Sequence, residues 1–299
     1  VARDAHHWVA LDGTRLAALG TDKKLYIYAN AVLYDITPAR QTNSSVSNIF
    51  TTTNGSANVT VNITSHGANV GDIVTFSGTT GLSGTSFTAE QFDRSFEIKS
   101  ITSTNAFVIQ QDATESTGTA TTGTATAVFD IAIAPAFSTF GYGWGTSTWN
   151  TETWGTARST SSVTLDGRDW SLDNFGELLI ATALNGSTFQ WSPTSDGLTG
   201  KASLVTNAPT TSKFSLVSTP DRHLILFGTE KTVGTGSSQD PLLLRFSSQE
   251  DINTYQPAAE NTAGSLRIQD GSSIVGADKA RGQILVWTDT SLHGLQFIG

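Results

Sequence analysis

Cysteine is absent from these 299 residues, which excludes a disulfide framework and thiolate metal ligation and leaves the redox compartment undefined. Methionine is absent too, and with Val1 as the first residue we expect a fragment or a processed product with flanking sequence. Charge is scarce at 14%. No stretch approaches the roughly 18 to 20 consecutive apolar residues of a membrane-spanning helix, and the N-terminus lacks the charged-then-apolar profile of a signal peptide. Basic residues are few: 17 against 26 acidic, a net charge of -9, argue against a protein that grips nucleic acid through its phosphates. Such a protein can still surround nucleic acid without binding it.

What is present suits strands. Hydrophobic residues make up 37%, and the 28 glycines sit among abundant Thr and Ser, a composition for short strands joined by tight turns rather than for amphipathic helices. Residues 5 to 36 read as a four-stranded meander, HHWVAL, RLAALGT, KLYIYA and AVLYDIT, punctuated by Asp12-Gly13, Gly20 with Asp22, and Asn30. The rhythm returns in SVTLD, RDWSLDN, ELLIATA and STFQWSP over 163 to 192. A third unit follows in KFSLVSTPDRHLILFGT and PLLLRFSS, and a fourth in SLRIQDG, SSIVGADKARGQILVWTD and SLHGLQFIG. HLILFGT and QILVWTD read as matching inner strands. Repetition of three or four short strands at roughly ten-residue spacing predicts an all-β, β-propeller-like body rather than a large sandwich.

Residues 41–133 differ in composition and predict an inserted domain, a small β-barrel or β-sandwich, dividing the body into 1–40 and 134–299. Their 7 acidic and 2 basic residues make the insertion more acidic than the rest. It opens Ser/Asn/Thr-rich, carries HGANVGDIVTFSG with a turn at Gly71-Asp72 before an alternating strand, and ends in a Thr/Ala/Gly-rich tract from Ala113 to Ala127. From Phe137 to Arg158 the chain combines glycine with aromatics and has neither strand nor helix period. In this long loop Tyr142, Trp144, Trp149 and Trp154 are the candidate contacts to a neighbouring subunit or partner.

No motif marks an enzyme. The five histidines, His6, His7, His66, His223 and His293, lack the spacing of a zinc site, and GxSxG and GxxxxGK[ST] do not occur. Asp166, Asp169 and Asp173 are dense but lack the order of a calcium loop, so they read as solvated turn carboxylates. We therefore expect no catalytic residues, no metal and no cofactor. SPTSDGLTG, Ser192 to Gly200, has a faint likeness to the Asp-box turn of sialidases, without the following Thr-Trp. The alternative from another class is a carbohydrate-binding or glycan-cleaving propeller of a host-recognition protein, with Trp144, Trp149, Trp154 and Trp191 as stacking platforms. An adhesin-like secreted protein is a third.

Two stretches carry a resemblance beyond composition. LAALGTDKKLYIYANAVLYDITPAR has the pattern G-T-x-x-K-L-Y…Y-D-I-T-P-x-R, and the C-terminal segment carries S-x-Q-E-D, N-T-A-G, G-S-x-I-V-G-A and I-L-V-W-T-D-x-S-L. These resemble the tail nozzle or tail hub proteins, also called phage stabilisation proteins, of short-tailed bacteriophages. The resemblance covers much of 5 to 40 and 163 to 299. It implies a virion structural protein in the tail, a subunit of a homo-oligomeric ring, commonly a hexamer, below the portal and adaptor. Such a subunit forms part of the DNA-ejection conduit, contacts other tail and adaptor proteins and the host envelope, and lets DNA pass without specific binding. It transfers no catalytic residue.

Overall fold

The computed structural model describes residues 1–132, 167–219 and 221–296. These are almost wholly antiparallel strands, and they form two units: Val1–Ile36 with Ala134–Gly299, and Thr37–Ile133. The first sheet is the meander β1 (Ala2–Val9), β2 (Arg15–Thr21), β3 (Leu25–Ala29) and β4 (Val32–Asp35). Leu25, Ile27 and Ala29 alternate inward with Tyr26 and Tyr28 outward, the period-two pattern of a strand with one buried face. Asn30 and Ala31 both lie at positive φ, 50° and 63°, the geometry of a two-residue hairpin whose twist matches its strands. Gly20, expected as turn punctuation, lies inside β2 instead. A Cβ there would stand 2.5 Å from Cδ1 of Trp170, so the glycine serves a close approach between sheets.

The insertion holds β5 (Ala39–Thr52), β6 (Asn58–Asn62), β7 (Ile73–Thr80), a single helical turn at Ala89–Phe92, β8 (Ser95–Glu97), β9 (Ser100–Ser103), β10 (Ala106–Gln110) and β11 (Ala120–Asp130). They form one seven-stranded sheet, in the order β8-β7-β11-β5-β6-β10-β9, curled into a half-barrel. The curl has local causes. β11 slips register against β5 at Thr122/Thr124, Ala125/Ala127 and Phe129/Asp130, while Ser45 and Asn48 in β5 take positive φ, and bulges of this kind bend a strand. Part of the Thr/Ala/Gly-rich tract is β11 itself, flanked by β5 and β7. The concave side is filled by Phe50, Phe76, Phe92, Phe107 and Phe129, with Phe50 stacked on Phe92 at 3.8 Å.

Three more sheets complete the first unit. β12 (Trp170–Phe175), β13 (Leu178–Ala183), β14 (Thr188–Trp191) and β15 (Ser203–Leu204) form the second. The expected strand SVTLD lies outside the described residues, and the fourth place belongs to the two-residue β15. The third sheet is β16 (Phe214–Val217), β17 (Leu224–Phe227), β18 (Leu243–Phe246) and β19 (Gly264–Arg267). SLRIQ, assigned from sequence to the fourth unit, thus contributes the outer strand of the third. β20 (Ile274–Ala280), β21 (Gln283–Thr288) and β22 (Leu292–Leu295) form the last sheet, and HLILFGT and QILVWTD occupy equivalent places as second strands, one position out from the expected inner one.

The four sheets stack face to face in chain order, as propeller blades do. Between the first and second, Trp170 covers Gly20 and its Nε1 donates to the Thr21 carbonyl at 2.8 Å. Phe175 and Ile180 meet Val217, Leu224 and Leu226 between the second and third, and Leu216, Ile225 and Phe227 meet Ile274, Ile284 and Val286 between the third and fourth. Each fully buried Leu or Ile adds about 1.5–3 kcal/mol. We call the sheets blades I to IV.

Candidate functional site

The first strands of the blades, β1, β12, β16 and β20, bring their polar side chains to a common hub. Along β12, Trp170 and Leu172 turn towards blade I, so the alternate residues Ser171 and Asp173 turn towards blade III. Ser171 Oγ donates to the Ser215 carbonyl at 2.7 Å and accepts from the Ser215 amide at 3.2 Å. Asp173 does more. Its Oδ1 accepts from the Asn174 amide at 2.9 Å and its Oδ2 from the Val217 amide of blade III at 2.7 Å. Lys279 Nζ, from blade IV, lies 2.9 Å and 2.8 Å from the two oxygens. His6 of blade I places Nε2 4.0 Å from Oδ1 and bonds Asn174 Oδ1 at 2.9 Å. A single carboxylate, 6% exposed, therefore touches all four blades. Burying it would be costly without partners, and here two amides and an ammonium supply them.

Other buried carboxylates are spent in the same way. Glu230, fully buried, accepts from the Thr210 and Thr211 amides through Oε1 and from the Gly234 and Thr235 amides through Oε2, tying two loops of blades II and III. For Asp240 burial raises the carboxyl pKa, but Arg267, the Leu242 amide and Lys231 outweigh it and leave the group below its usual range. In the insertion, burial likewise pushes Glu115 up, against the Thr85 hydroxyl, the Thr117 amide and the Ser86 amide and hydroxyl, which together hold it down to about 2. These groups arrange backbone. No group of three or more His, Cys, Asp or Glu fit to hold a metal occurs among the described residues.

The expected contact residues Tyr142, Trp144, Trp149 and Trp154 lie outside the described residues, as does Asp166. Trp191 cannot be a stacking platform: it is fully buried, and its Nε1 donates to the Gly200 carbonyl at 3.1 Å. That bond closes the Ser192–Gly200 turn, in which Asp196 Oδ2 accepts the Ser192 amide at 2.7 Å. Asp173, expected in a solvated turn, is instead the hub. The histidines are scattered: His66 bonds the Ser103 carbonyl, His223 the Ser247 carbonyl and His293 the Ser291 hydroxyl.

The motif residues behind the family resemblance also build framework. Gln249 of S-x-Q-E-D donates its amide to Thr262 Oγ1 of N-T-A-G at 2.8 Å, and the glycine of that motif, Gly264, lies where a Cβ would stand 2.6 Å from the Phe246 ring. Asp289 of the T-D-x-S-L motif accepts the Ser272 amide at 2.7 Å and hydroxyl at 2.5 Å, gathering the G-S-x-I-V-G-A turn. Its carboxyl is held below the usual range by Ser272.

Comparison with known proteins adds little to this geometry. No family model matches the chain, and no curated protein does. Among solved structures, the phage phi92 endosialidase aligns over 94% of this chain and 41% of its own length, with 14% identity and a TM-score of 0.27. The chain thus spans less than half of that protein, and the likeness is too slight to carry an assignment.

Proposed function

We propose that this chain is a structural subunit of a bacteriophage tail, a part of the ring-shaped nozzle or hub below the portal and adaptor, and that it is not an enzyme. What supports this reading is the use made of its buried charge: Asp173 joins four blades, Glu230 and Asp240 fix loops, and the motif residues that resemble those of tail nozzle proteins fill turns and close approaches. Such chemistry serves a load-bound frame. The net charge of -9 suits a conduit that does not hold DNA.

The test is to locate the protein in particles. An epitope tag followed by electron microscopy of labelled particles is expected to place it in a ring at the tail. Label absent from particles, or binding to a glycan array by the purified protein, would overturn the reading in favour of a secreted or carbohydrate-binding propeller.

A further inference from the structure

A glycine follows an asparagine or aspartate at Asp12, Asn54, Asp166, Asn185, Asp196 and Asp270, of which Asp166 lies outside the described residues. In such pairs the glycine nitrogen can attack the side-chain carbonyl carbon of the residue before it, because no Cβ shields that nitrogen. Sequence alone ranks Asn54 and Asn185 first, since an uncharged amide is a better electrophile than a carboxylate. Both are exposed.

The fold reorders the sites. The nitrogen reacts only when its proton can leave and the peptide can turn onto the side chain, and a backbone hydrogen bond opposes both. Gly55 donates its amide to the Glu115 carbonyl, Gly186 to the Ala183 carbonyl and Gly13 to the Ala10 carbonyl, each at 2.9 Å. Asn185 is held a second time, its Oδ1 accepting from Gln239 Nε2 at 3.2 Å. Asp196 is tied through its carboxylate instead: Oδ2 accepts the Ser192 amide at 2.7 Å, inside the turn that Trp191 closes. Asp270 has neither restraint. Its exposed carboxylate makes no hydrogen bond or ion pair among the described residues, and the Gly271 amide donates to none of them.

We propose that Asp270 is a site of spontaneous backbone modification, isomerising through a cyclic imide to isoaspartate ahead of both asparagines in the folded chain. The Gly271 nitrogen bonds to Asp270 Cγ, the Cγ–OH bond breaks, and the amide proton leaves with the hydroxyl as water. Solvent water then adds to the imide carbonyl on the main-chain side, and that carbon's bond to nitrogen breaks. The product has the parent's mass, with the main chain now running through Cβ and Cγ of residue 270. Asp270 lies in the link between β19 of blade III and β20 of blade IV, two residues before the Ser272 amide and hydroxyl that Asp289 gathers. The modification therefore lengthens the connection between two blades by a methylene. It is independent of the tail reading above.

The experiment is peptide mapping of the purified chain aged in mildly acidic and in neutral buffer, with electron-transfer fragmentation to tell isoaspartate from aspartate. Isoaspartate at position 270 is expected to lead, with conversion at Asn54 and Asn185 slower by about tenfold or more, the factor set by one backbone hydrogen bond. In denaturant the order should invert, both asparagines deamidating ahead of Asp270. Asp270→Glu, at an exposed position, should remove the signal there and leave the other sites unchanged, because the larger ring closes slowly. A folded chain in which Asn54 or Asn185 converts first overturns the proposal. So does an Asp270 that converts slower by about tenfold in the folded chain than in a peptide spanning residues 268–274, a gap that would show a restraint at this turn equal to those at the asparagines.

Discussion

Glu115 shows what a single residue is asked to do in this chain. Its carboxylate gathers Thr85, Ser86 and Thr117, and its pKa falls from 4.5 to about 2. The unfolded chain therefore binds a proton that the folded chain does not, so the stabilisation is complete above about pH 4.5 and is lost as pH falls towards 2. Denaturant titrations of the parent should weaken over that window, and Glu115→Gln should flatten the dependence. Gly20→Ala drives a methyl into Trp170 and is expected to cost about 1–3 kcal/mol by chemical denaturation. Asp173→Ala leaves Lys279 and the Val217 amide without their acceptor and should cost about 1–3 kcal/mol, with faster hydrogen exchange at Val217. None of these roles was legible beforehand. A glycine kept for close approach looks the same in sequence as one kept for a turn, and Asp173 reads as a turn carboxylate until strand parity is known.

Elements were far more legible than their partners. β2, β3, β17 and β21 announce themselves by apolar alternation or short apolar runs between turn residues, and each lies where it was expected. β15 has two residues, both exposed, and leaves no period to read. β19 is separated from β18 by a long turn, so SLRIQ was grouped with the wrong blade. β11 was hidden because Thr, Ala and Gly dominate it and its burial depends on neighbours distant in sequence. Two outcomes belong to this scale. Ala31 sits at φ 63° in the β3–β4 hairpin, where glycine carries no steric cost, so Ala31→Gly should stabilise blade I by about 0.5–1 kcal/mol in thermal melts. Phe50→Ala removes the ring stacked on Phe92 and is expected to cost the inserted sheet about 3–5 kcal/mol by denaturant titration.

For the molecule, composition and rhythm predicted an all-β chain with an insertion, while pairing order and the hub required coordinates, because side chains meet there from residues over 100 positions apart. The two units have cores of their own. Calorimetry should accordingly resolve two transitions, the one lowered by Phe50→Ala distinct from the one lowered by Gly20→Ala. The insertion also has a topological property. Its sheet begins at Ala39 and ends at Asp130, and those two residues are partners across β5 and β11, with Ile131 bonded back to the Pro38 carbonyl at 3.0 Å. The polypeptide leaves and returns at neighbouring points about one strand spacing apart. That makes the site a socket: any domain whose termini lie side by side fits the same gap, so this segment is free to diverge, be exchanged or carry a reporter while the sequence of the blades stays as it is.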